Sequence, residues 1–227
     1  MIILDCIAYS MIEKNDEFFA GKNISGLEVI DIDGNAENVF IPETVNGIPV
    51  ISIEQFAVRN QTGIKTVSLP ASLLLIDSRV FKGCSNLEEV EFRGTQISIP
   101  DNELFISHEA FQACSKLKVI KGTRFCHLGS RTFQGCAALT DIELTLTGLW
   151  YNSFENVPWY GLPFESCLQL DTLTFHDDPY LVIPRNIVTL STNEYMRNYI
   201  RQNNIKVRCN ADSPLVAWSH DGIEIVI

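Results

Sequence analysis

One stretch of the chain decides the fold: Phe81-Lys82-Gly83-Cys84-Ser85-Asn86-Leu87-Glu88-Glu89-Val90-Glu91-Phe92. Its apolar residues Leu87, Val90 and Phe92 stand at positions 1, 4 and 6 of a short segment. Positions 4 and 6 alternate with charged residues, as in a half-buried strand, and position 1 tucks inward just before it. Gly83 stands where a tight helical turn ends. The stretch therefore predicts a compact turn followed by a strand with one buried face.

The same pattern recurs along the chain. Four segments, which begin at Phe81, Phe111, Phe133 and Phe164, share the template Phe-x-x-Cys-x-x-Leu-x-x-apolar. A degenerate copy without the cysteine begins at Phe56, and successive phenylalanines are 25, 30, 22 and 31 residues apart. The spacing indicates a basic unit of about 22 or 23 residues with insertions in two units. Four matches at four fixed positions indicate a structural repeat.

Stacking of the units into a solenoid follows from their apolar pattern, because one unit cannot bury its own apolar face. A second extended piece is predicted after the strand, for example at residues 73–76 and 104–107. Equivalent residues then form columns, and the repeat cysteines are predicted to be buried free thiols in one column: Cys84, Cys114, Cys136 and Cys167. A free cysteine packs as a small hydrophobe. A metal or redox array is the less favoured alternative, because these cysteines point inward beside Phe and Leu.

Both ends of a solenoid need caps. At the N-terminus, residues 1–35 are predicted to contain a short helix or irregular turn at 12–19 and a strand at 27–33, which pairs with residues 38–41. At the C-terminus, residues 191–227 are predicted to contain a helix after a capping box at Ser191, a strand at 205–209 and a hairpin around His220-Asp221-Gly222. One domain over 1–227 is expected, with five to six repeats in residues 36–190.

The repeats resemble the BspA-like class of leucine-rich repeats, whose units are similar to L-x-x-I-x-L-P-x-x-L-x-x-I-x-x-x-A-F-x-G-C. The matching residues run from Leu69-Pro70 to Phe81-Lys82-Gly83-Cys84, and recur at 109–114 and 133–136. The resemblance implies an α/β, β-rich leucine-rich-repeat solenoid, right-handed, with a parallel sheet, an N-terminal strand cap and a C-terminal cap of a helix plus a hairpin. It also implies protein recognition or adhesion, often at a bacterial cell surface.

Composition and charge restrict the function. The 227 residues include 28 acidic and 17 basic ones, a net charge of −11. This charge disfavours nonspecific nucleic-acid binding and a polybasic membrane-surface role. The longest apolar stretches are far shorter than the ~18–20 residues of a membrane span. The N-terminus is a poor secretion signal because it has no Lys or Arg before Lys14. The chain is expected to be cytoplasmic as it stands, or at the cell surface or secreted if a leader was removed.

No catalytic, cofactor-binding or metal-binding motif is found. The histidines lack ligand spacing, and nucleotide and nucleophile fingerprints are absent. Cys126 and His127 are neighbours in a predicted strand, so their side chains point to opposite faces and are poorly placed to cooperate. The sequence therefore predicts a non-enzymatic protein without a cofactor or metal.

Two candidate binding surfaces remain. The outward residues of the predicted strands place an acidic row beside a basic one, with the candidate residues Glu88, Glu89, Glu91, Lys118, Lys121, Asp141 and Glu143. A protein partner of complementary charge is expected to dock across these rows. The second candidate is the loop 150–160, where Trp159 and Tyr160 form a glycan-stacking platform or protein hot spot, or instead fill a gap in the repeats. The loop supports the alternative hypothesis of a carbohydrate-binding accessory protein.

Overall fold

The computed structural model describes residues 1–15, 23–94, 104–122, 125–150, 162–175, 187–188 and 194–227. Its strands are β1 (Ile2–Leu4), β2 (Ile7–Asn15), β3 (Asn23–Ile32), β4 (Asn38–Phe40), β5 (Thr44–Val45), β6 (Ile48–Ile53), β7 (Thr66–Leu69), β8 (Leu75–Ile76), β9 (Glu89–Phe92), β10 (Leu104–Ile106), β11 (Val119–Lys121), β12 (Phe125–Leu128), β13 (Asp141–Ile142), β14 (Thr145–Trp150), β15 (Thr172–Phe175), β16 (Ile187–Val188), β17 (Lys206–Arg208) and β18 (Ile225–Val226). The described part also contains the helix α1 (Glu194–Gln202) and a 3-10 helix (Pro214–Asp221).

These strands form two sheets, as expected of a leucine-rich-repeat solenoid. In the units before Phe164, the strand of positions 4 and 6 belongs to a five-stranded parallel sheet in the order β13-β11-β9-β7-β4, whereas the corresponding strand of the Phe164 unit, β15, pairs with β14 instead. The second extended piece belongs to a larger sheet with the path β1-β2-β3-β6-β8-β10-β12-β14-β15-β17-β18, which is parallel from β3 onward. Both strands of the predicted unit are confirmed, and the apolar core lies between the sheets.

A ladder of phenylalanine rings runs through the core. Phe81 stacks on Phe111 with ring centroids 5.0 Å apart, Phe111 on Phe133 at 5.3 Å, and Phe133 on Phe164 at 5.5 Å. All four side chains are fully buried. Backbone hydrogen bonds join the same turns, since the amides of Phe81, Phe111 and Phe133 donate to the following repeat, as from Phe81 to the Ala110 carbonyl at 2.7 Å. The ladder confirms the phase of the repeat.

The repeat cysteines form the predicted column of buried free thiols. Each thiol also donates a hydrogen bond to the preceding repeat, which the sequence did not indicate. The acceptors are the carbonyl oxygens of Val58, Phe81, Phe111 and Phe133, each 3.1 Å from the sulfur. Burial raises the pKa of the Cys84 thiol to about 11. The cysteine therefore fills the core and satisfies a buried carbonyl, which explains why a weak donor of small volume suits this position.

Left-handed backbone ends the compact turn of each repeat. Gly83 has φ +79° and Gly135 has φ +76°, as the sequence predicts for the end of a tight turn. A Cβ atom at Gly83 would lie 2.2 Å from Asn60 Oδ1, so a larger residue there would also have to displace the Asn60 side chain. Ala113 and Ser166 occupy the same phase at φ +62° and +64°. These two residues hold a conformation that glycine adopts without a Cβ clash.

The N-terminal strand cap is confirmed, but two of its details were wrong. Residues 12–15, predicted as part of a short helix or irregular turn, continue β2, because each of them pairs with a residue of β3; residues 16–19 of the same prediction lie outside the described residues. The predicted strand at 27–33 exists within β3, yet it pairs with β2 and β6, whereas β4 pairs with β7. The reason is a turn after β3, closed by the Ala36 amide donating to the Asp33 carbonyl at 3.0 Å, which moves the chain to the other sheet.

The C-terminal helix and the strand that follows it are confirmed as α1 and β17, but the hairpin was wrong. The Ser213 hydroxyl accepts from the Leu215 amide at 3.2 Å and starts the 3-10 helix, and Gly222 ends it at φ +81°. Leu215 and Trp218, three residues apart, are buried on one side of this helix. Because the helix carries the chain back, β18 runs parallel to β17. Asp221-Gly222 serves as a helix end and not as a hairpin turn.

Candidate functional site

The outer surface of the five-stranded sheet is polar because apolar residues alternate with polar ones along each strand. In β9 and β11, Val90, Phe92 and Ile120 are buried, while Glu91 and Lys121 are exposed. We call this surface the sheet face and define it by the following residues: Asn38, Phe40, Thr66, Ser68, Glu88, Glu89, Glu91, Lys118, Lys121 and Glu143. Most of these residues lie in strands of a parallel sheet, and Glu88, Lys118 and Glu143 directly adjoin such strands, so neighbouring strands hold the polar groups at a constant spacing.

The strand register brings the predicted rows together. Glu89 lies beside Val119, Val119 beside Asp141, and Glu91 beside Lys121. Lys118 Nζ lies 3.6 Å from Glu88 Oε2, and Lys121 Nζ lies 2.8 Å from Glu89 Oε1. The basic row is therefore paired with part of the acidic row within the protein itself. Exposed pairs of this kind contribute about 0–1 kcal/mol, so a partner can exchange them at little cost.

Two carboxylates of the sheet face are held by neutral donors instead. The Ser68 hydroxyl donates to Glu91 Oε2 at 3.2 Å, and the Gly122 amide donates to Glu143 Oε2 at 2.6 Å. In the described part of the chain, neither carboxylate forms an ion pair. The hydrogen bond to Glu89 and the charges of Glu89, Glu91 and Glu143 raise the pKa of Lys121. The central part of the face consequently carries an excess of negative charge.

Arg93, which sequence analysis did not single out, borders the sheet face at the end of β9. Its guanidinium donates to the Ser68 carbonyl at 3.0 Å and the Ser68 hydroxyl at 2.9 Å, and also to the Ile41 carbonyl. The same group stacks 4.0 Å from the centroid of the Phe40 ring, which is 61% exposed. Arg93 thus ties β9 to β7 and β4 and covers one face of an exposed aromatic ring. Its place just after position 6 carried no distinctive motif.

A second charged cluster lies on the turns, away from the sheet face. Arg79 Nε lies 2.9 Å and Lys82 Nζ 2.5 Å from Glu109 Oε2, which joins two successive repeats. Burial raises the pKa of the Glu109 carboxyl, but the hydrogen bonds from Arg79 and Lys82 outweigh it and lower the pKa to about 2. Both cations pair with one carboxylate of the next repeat, so the role of the cluster is to hold repeats together.

The aromatic candidates cannot be placed. Trp159 and Tyr160 lie outside the described residues, and Trp150 is the last residue of β14. Among the residues that the structure describes, no group of three His, Cys, Asp or Glu side chains is arranged to hold a metal ion. None of the helices in the described ranges is long and apolar enough to cross a membrane.

Comparison with known proteins agrees with this geometry. The family model for the BspA type leucine rich repeat region matches residues 33–158 and 94–198, with six copies. The chain belongs to the BspA-type leucine-rich repeat family. Membership of this family agrees with three features of the BspA-type chain: the repeat template, the parallel sheet and the ladders. No curated protein matches the sequence.

Three solved structures are similar to this BspA-type chain. A leucine-rich repeat protein of T. pallidum is 24% identical, with 68% of this chain and 69% of that chain covered and a TM-score of 0.49. A leucine-rich repeat protein of Bacteroides ovatus is 19% identical, with coverages of 92% and 50% and a TM-score of 0.45. A leucine-rich cell surface protein of Faecalibacterium prausnitzii is 18% identical, with coverages of 83% and 58% and a TM-score of 0.40.

Proposed function

We propose that this chain is a non-enzymatic protein-binding module that recognises a basic, extended segment of a partner protein with its sheet face. Repeat solenoids commonly use such faces for binding partners, and membership of the BspA-type family supports an interaction module. One observation indicates that the partner segment is positively charged. Glu88 and Glu89 are paired with lysines of the chain, whereas Glu91 and Glu143 form no ion pair with the residues that the structure describes. A cationic partner segment would complete the pairing of these two carboxylates.

The geometry of the face restricts the partner further. Glu91 and Glu143 stand on or just after strands two positions apart in the sheet, which corresponds to roughly 10 Å at about 4.8 Å per strand. An extended peptide advances about 3.3 Å per residue, so its two basic residues should be roughly two or three residues apart. The parallel ladders hold the face rigid, and a rigid face loses little conformational entropy on binding.

The test begins with peptides selected from a displayed random library against the whole chain. Their affinities are then compared between the wild type and the double variant Glu89→Lys/Glu91→Lys. A matched control, Glu13→Lys/Glu54→Lys, makes the same change of charge at exposed residues away from the sheet face. The proposal expects enriched peptides to be basic and to lose at least about tenfold in affinity on the sheet-face variant alone, the order of effect of one strong charge-assisted bond.

Two further measurements separate this proposal from the loop hypothesis. The association rate should fall as salt rises, because exposed charges are screened over roughly 8–10 Å at physiological ionic strength. Binding should survive Trp159→Ala. The proposal fails if the charge reversal leaves affinity and rate unchanged while Trp159→Ala abolishes binding, and a glycan array would then be the next experiment.

A further inference from the structure

The sheet face is interrupted beyond β13 by a cleft. Within the described strands, β15 pairs with β14 and β17 of the larger sheet and does not pair with β13, so the five-stranded sheet ends there. A cavity of about 260 Å³ opens at the break. Its lining residues are Thr140, Ile142, Asp171, Thr172, Thr174 and Arg208. The cleft therefore combines one apolar wall with hydroxyl and charged groups at the border of the sheet face.

The acidic side chain that lines the cleft has an ion-pair partner, and the basic one has none among the described residues. Asp171 Oδ2 lies 3.4 Å from Lys206 Nζ and accepts from the Thr172 hydroxyl at 2.9 Å. Arg208 is exposed and forms no ion pair with any residue that the structure describes. The acidic group of the cleft is thus engaged within the protein, whereas the guanidinium of Arg208 has no carboxylate partner among the described residues. An occupant would accordingly be anionic.

Two of the three threonines that line the cleft have hydrogen-bonded hydroxyl groups. Thr172 directs its proton to Asp171, and the Thr140 hydroxyl donates to the Lys118 carbonyl at 3.2 Å. Thr174 makes no hydrogen bond to another described residue, and the register of β15 and β17 places it directly beside Arg208. The cleft therefore offers one hydroxyl donor and one planar guanidinium fork side by side. A carboxylate accepts both kinds of donor, and its two oxygens match the guanidinium fork.

We propose that this cleft binds the carboxylate of a glutamate or aspartate side chain in the partner segment, an inference that rests on the proposed function above. The cavity is smaller than the roughly 300–1,000 Å³ typical of small-molecule pockets, which favours a single side chain as the occupant. Its position beyond β13 continues the path of an extended segment that crosses β9, β11 and β13. The partner segment therefore carries an acidic residue on one side of its basic residues.

The first experiment uses two capped amino acids as probes. N-acetyl-glutamate N-methylamide and its glutamine analogue, which has the same shape without the charge, are titrated into the labelled whole chain and followed by NMR. The glutamate probe should shift the resonances of Thr172, Thr174 and Arg208 and bind at least about tenfold more tightly than the glutamine probe, as a charge-assisted bond requires. Equal shifts with both probes, or none with either, would overturn the proposal.

Variants of the whole chain supply the second readout. Arg208→Gln should abolish the preference for glutamate, and Arg208→Lys should restore part of it because the charge returns without the fork. Arg201→Gln makes the same change at an exposed arginine in the last turn of α1, which belongs neither to the sheet face nor to the lining of the cleft, so the preference should persist. Arg208 is exposed, so its replacement should leave the fold intact, which the amide spectrum reports directly. A glutamate preference that persists in Arg208→Gln contradicts the assignment.

Selected peptides distinguish a failure of the cleft from a failure of the proposed function. Peptides that weaken on Glu89→Lys/Glu91→Lys but bind Arg208→Gln as tightly as the wild type would leave the sheet face as the binding surface and refute the cleft. Peptides indifferent to both variants would refute the sheet face as well. Peptides weakened by both variants, with an acidic residue beside the basic ones, are the result that we expect.

Discussion

Phe111→Ala tests whether the ring ladder is the main source of cohesion between repeats. Phe111 is fully buried and lies between two rings, with centroid distances of 5.0 Å to Phe81 and 5.3 Å to Phe133. Truncation removes the apolar contacts of the ring and leaves a cavity that two stacked neighbours cannot easily close. The expected loss in the free energy of unfolding is about 3–5 kcal/mol, as for other buried aromatic truncations.

A comparison within the ladder isolates the contribution of stacking. In the described part of the chain Phe164 stacks on Phe133 alone, so Phe164→Ala loses one ring contact where Phe111→Ala loses two. One such contact contributes about 0.5–1.5 kcal/mol beyond the buried area, so Phe111→Ala should be the more damaging change by that amount. Leu168→Ala is the control, since Leu168 is 80% exposed and should change stability by less than about 0.5 kcal/mol.

Urea denaturation and calorimetry measure the effect. For a chain of this length, 1 kcal/mol corresponds to about 2–4 °C in Tm, so a shift of about 6–20 °C is expected for Phe111→Ala. Hydrogen exchange should show that the damage extends to both flanking repeats, since amides such as that of Phe81 bond across repeats. A loss below about 1 kcal/mol, or protection lost only within the mutated repeat, would refute the ladder as the source of cohesion.

Three further predictions follow from the core and the turns. In the native protein a thiol reagent should label Cys6, which is half-buried, and should not label the six buried cysteines until urea unfolds the chain. Rapid labelling of the repeat cysteines in the native protein would contradict their burial. Ala113→Gly should stabilise the protein by about 0.5–1 kcal/mol, because φ at this residue is +62° and glycine adopts it without strain. Gly135→Ala should destabilise the protein by about 1 kcal/mol, because φ there is +76°. Urea denaturation measures both changes. The pKa of Glu109 is lowered to about 2, so the stability it confers is present above its ordinary value of 4.5 and lost as the pH falls towards 2. Glu109→Gln should therefore be less stable than the wild type at neutral pH, and thermal melts should show this gap closing at low pH; a constant gap would exclude the ion pairs as its source.

Sequence periodicity predicted the features that depend on repetition. Phe and Cys recur at the same phase, and repeats that stack must place equal phases above one another, so both columns could be predicted without coordinates. The same reasoning placed the acidic row of Glu88, Glu89 and Glu91 beside the row of Lys118 and Lys121, because strands in a parallel stack carry equivalent positions side by side, as Glu91 and Lys121 do. The helix α1 was also predictable, since its apolar stripe lies within a few residues of chain.

Features that depend on competing uses of one motif were not predictable. Asp221-Gly222 suits a hairpin turn and a helix end equally, and buried Leu215 and Trp218 decide for the helix. Arg93 follows β9 like any surface residue, and its role appears only because β4 and β7 lie beside that strand. The turn after β3 was predicted from the sequence, but the sheet that the chain enters after this turn was not.

The sequence by itself determined that this protein is a solenoid of leucine-rich repeats with a polar strand face and a core of phenylalanine and cysteine columns, because these properties repeat with the chain. Only the tertiary structure decided which charges on that face remain available. Lys118 and Lys121 pair with glutamates of the neighbouring repeat. The five-stranded sheet ends at β13, and Arg208 lines the cleft beyond it. The pairing depends on side-chain reach between strands, and the break depends on which sheet β15 joins; neither property is carried by the repeat pattern.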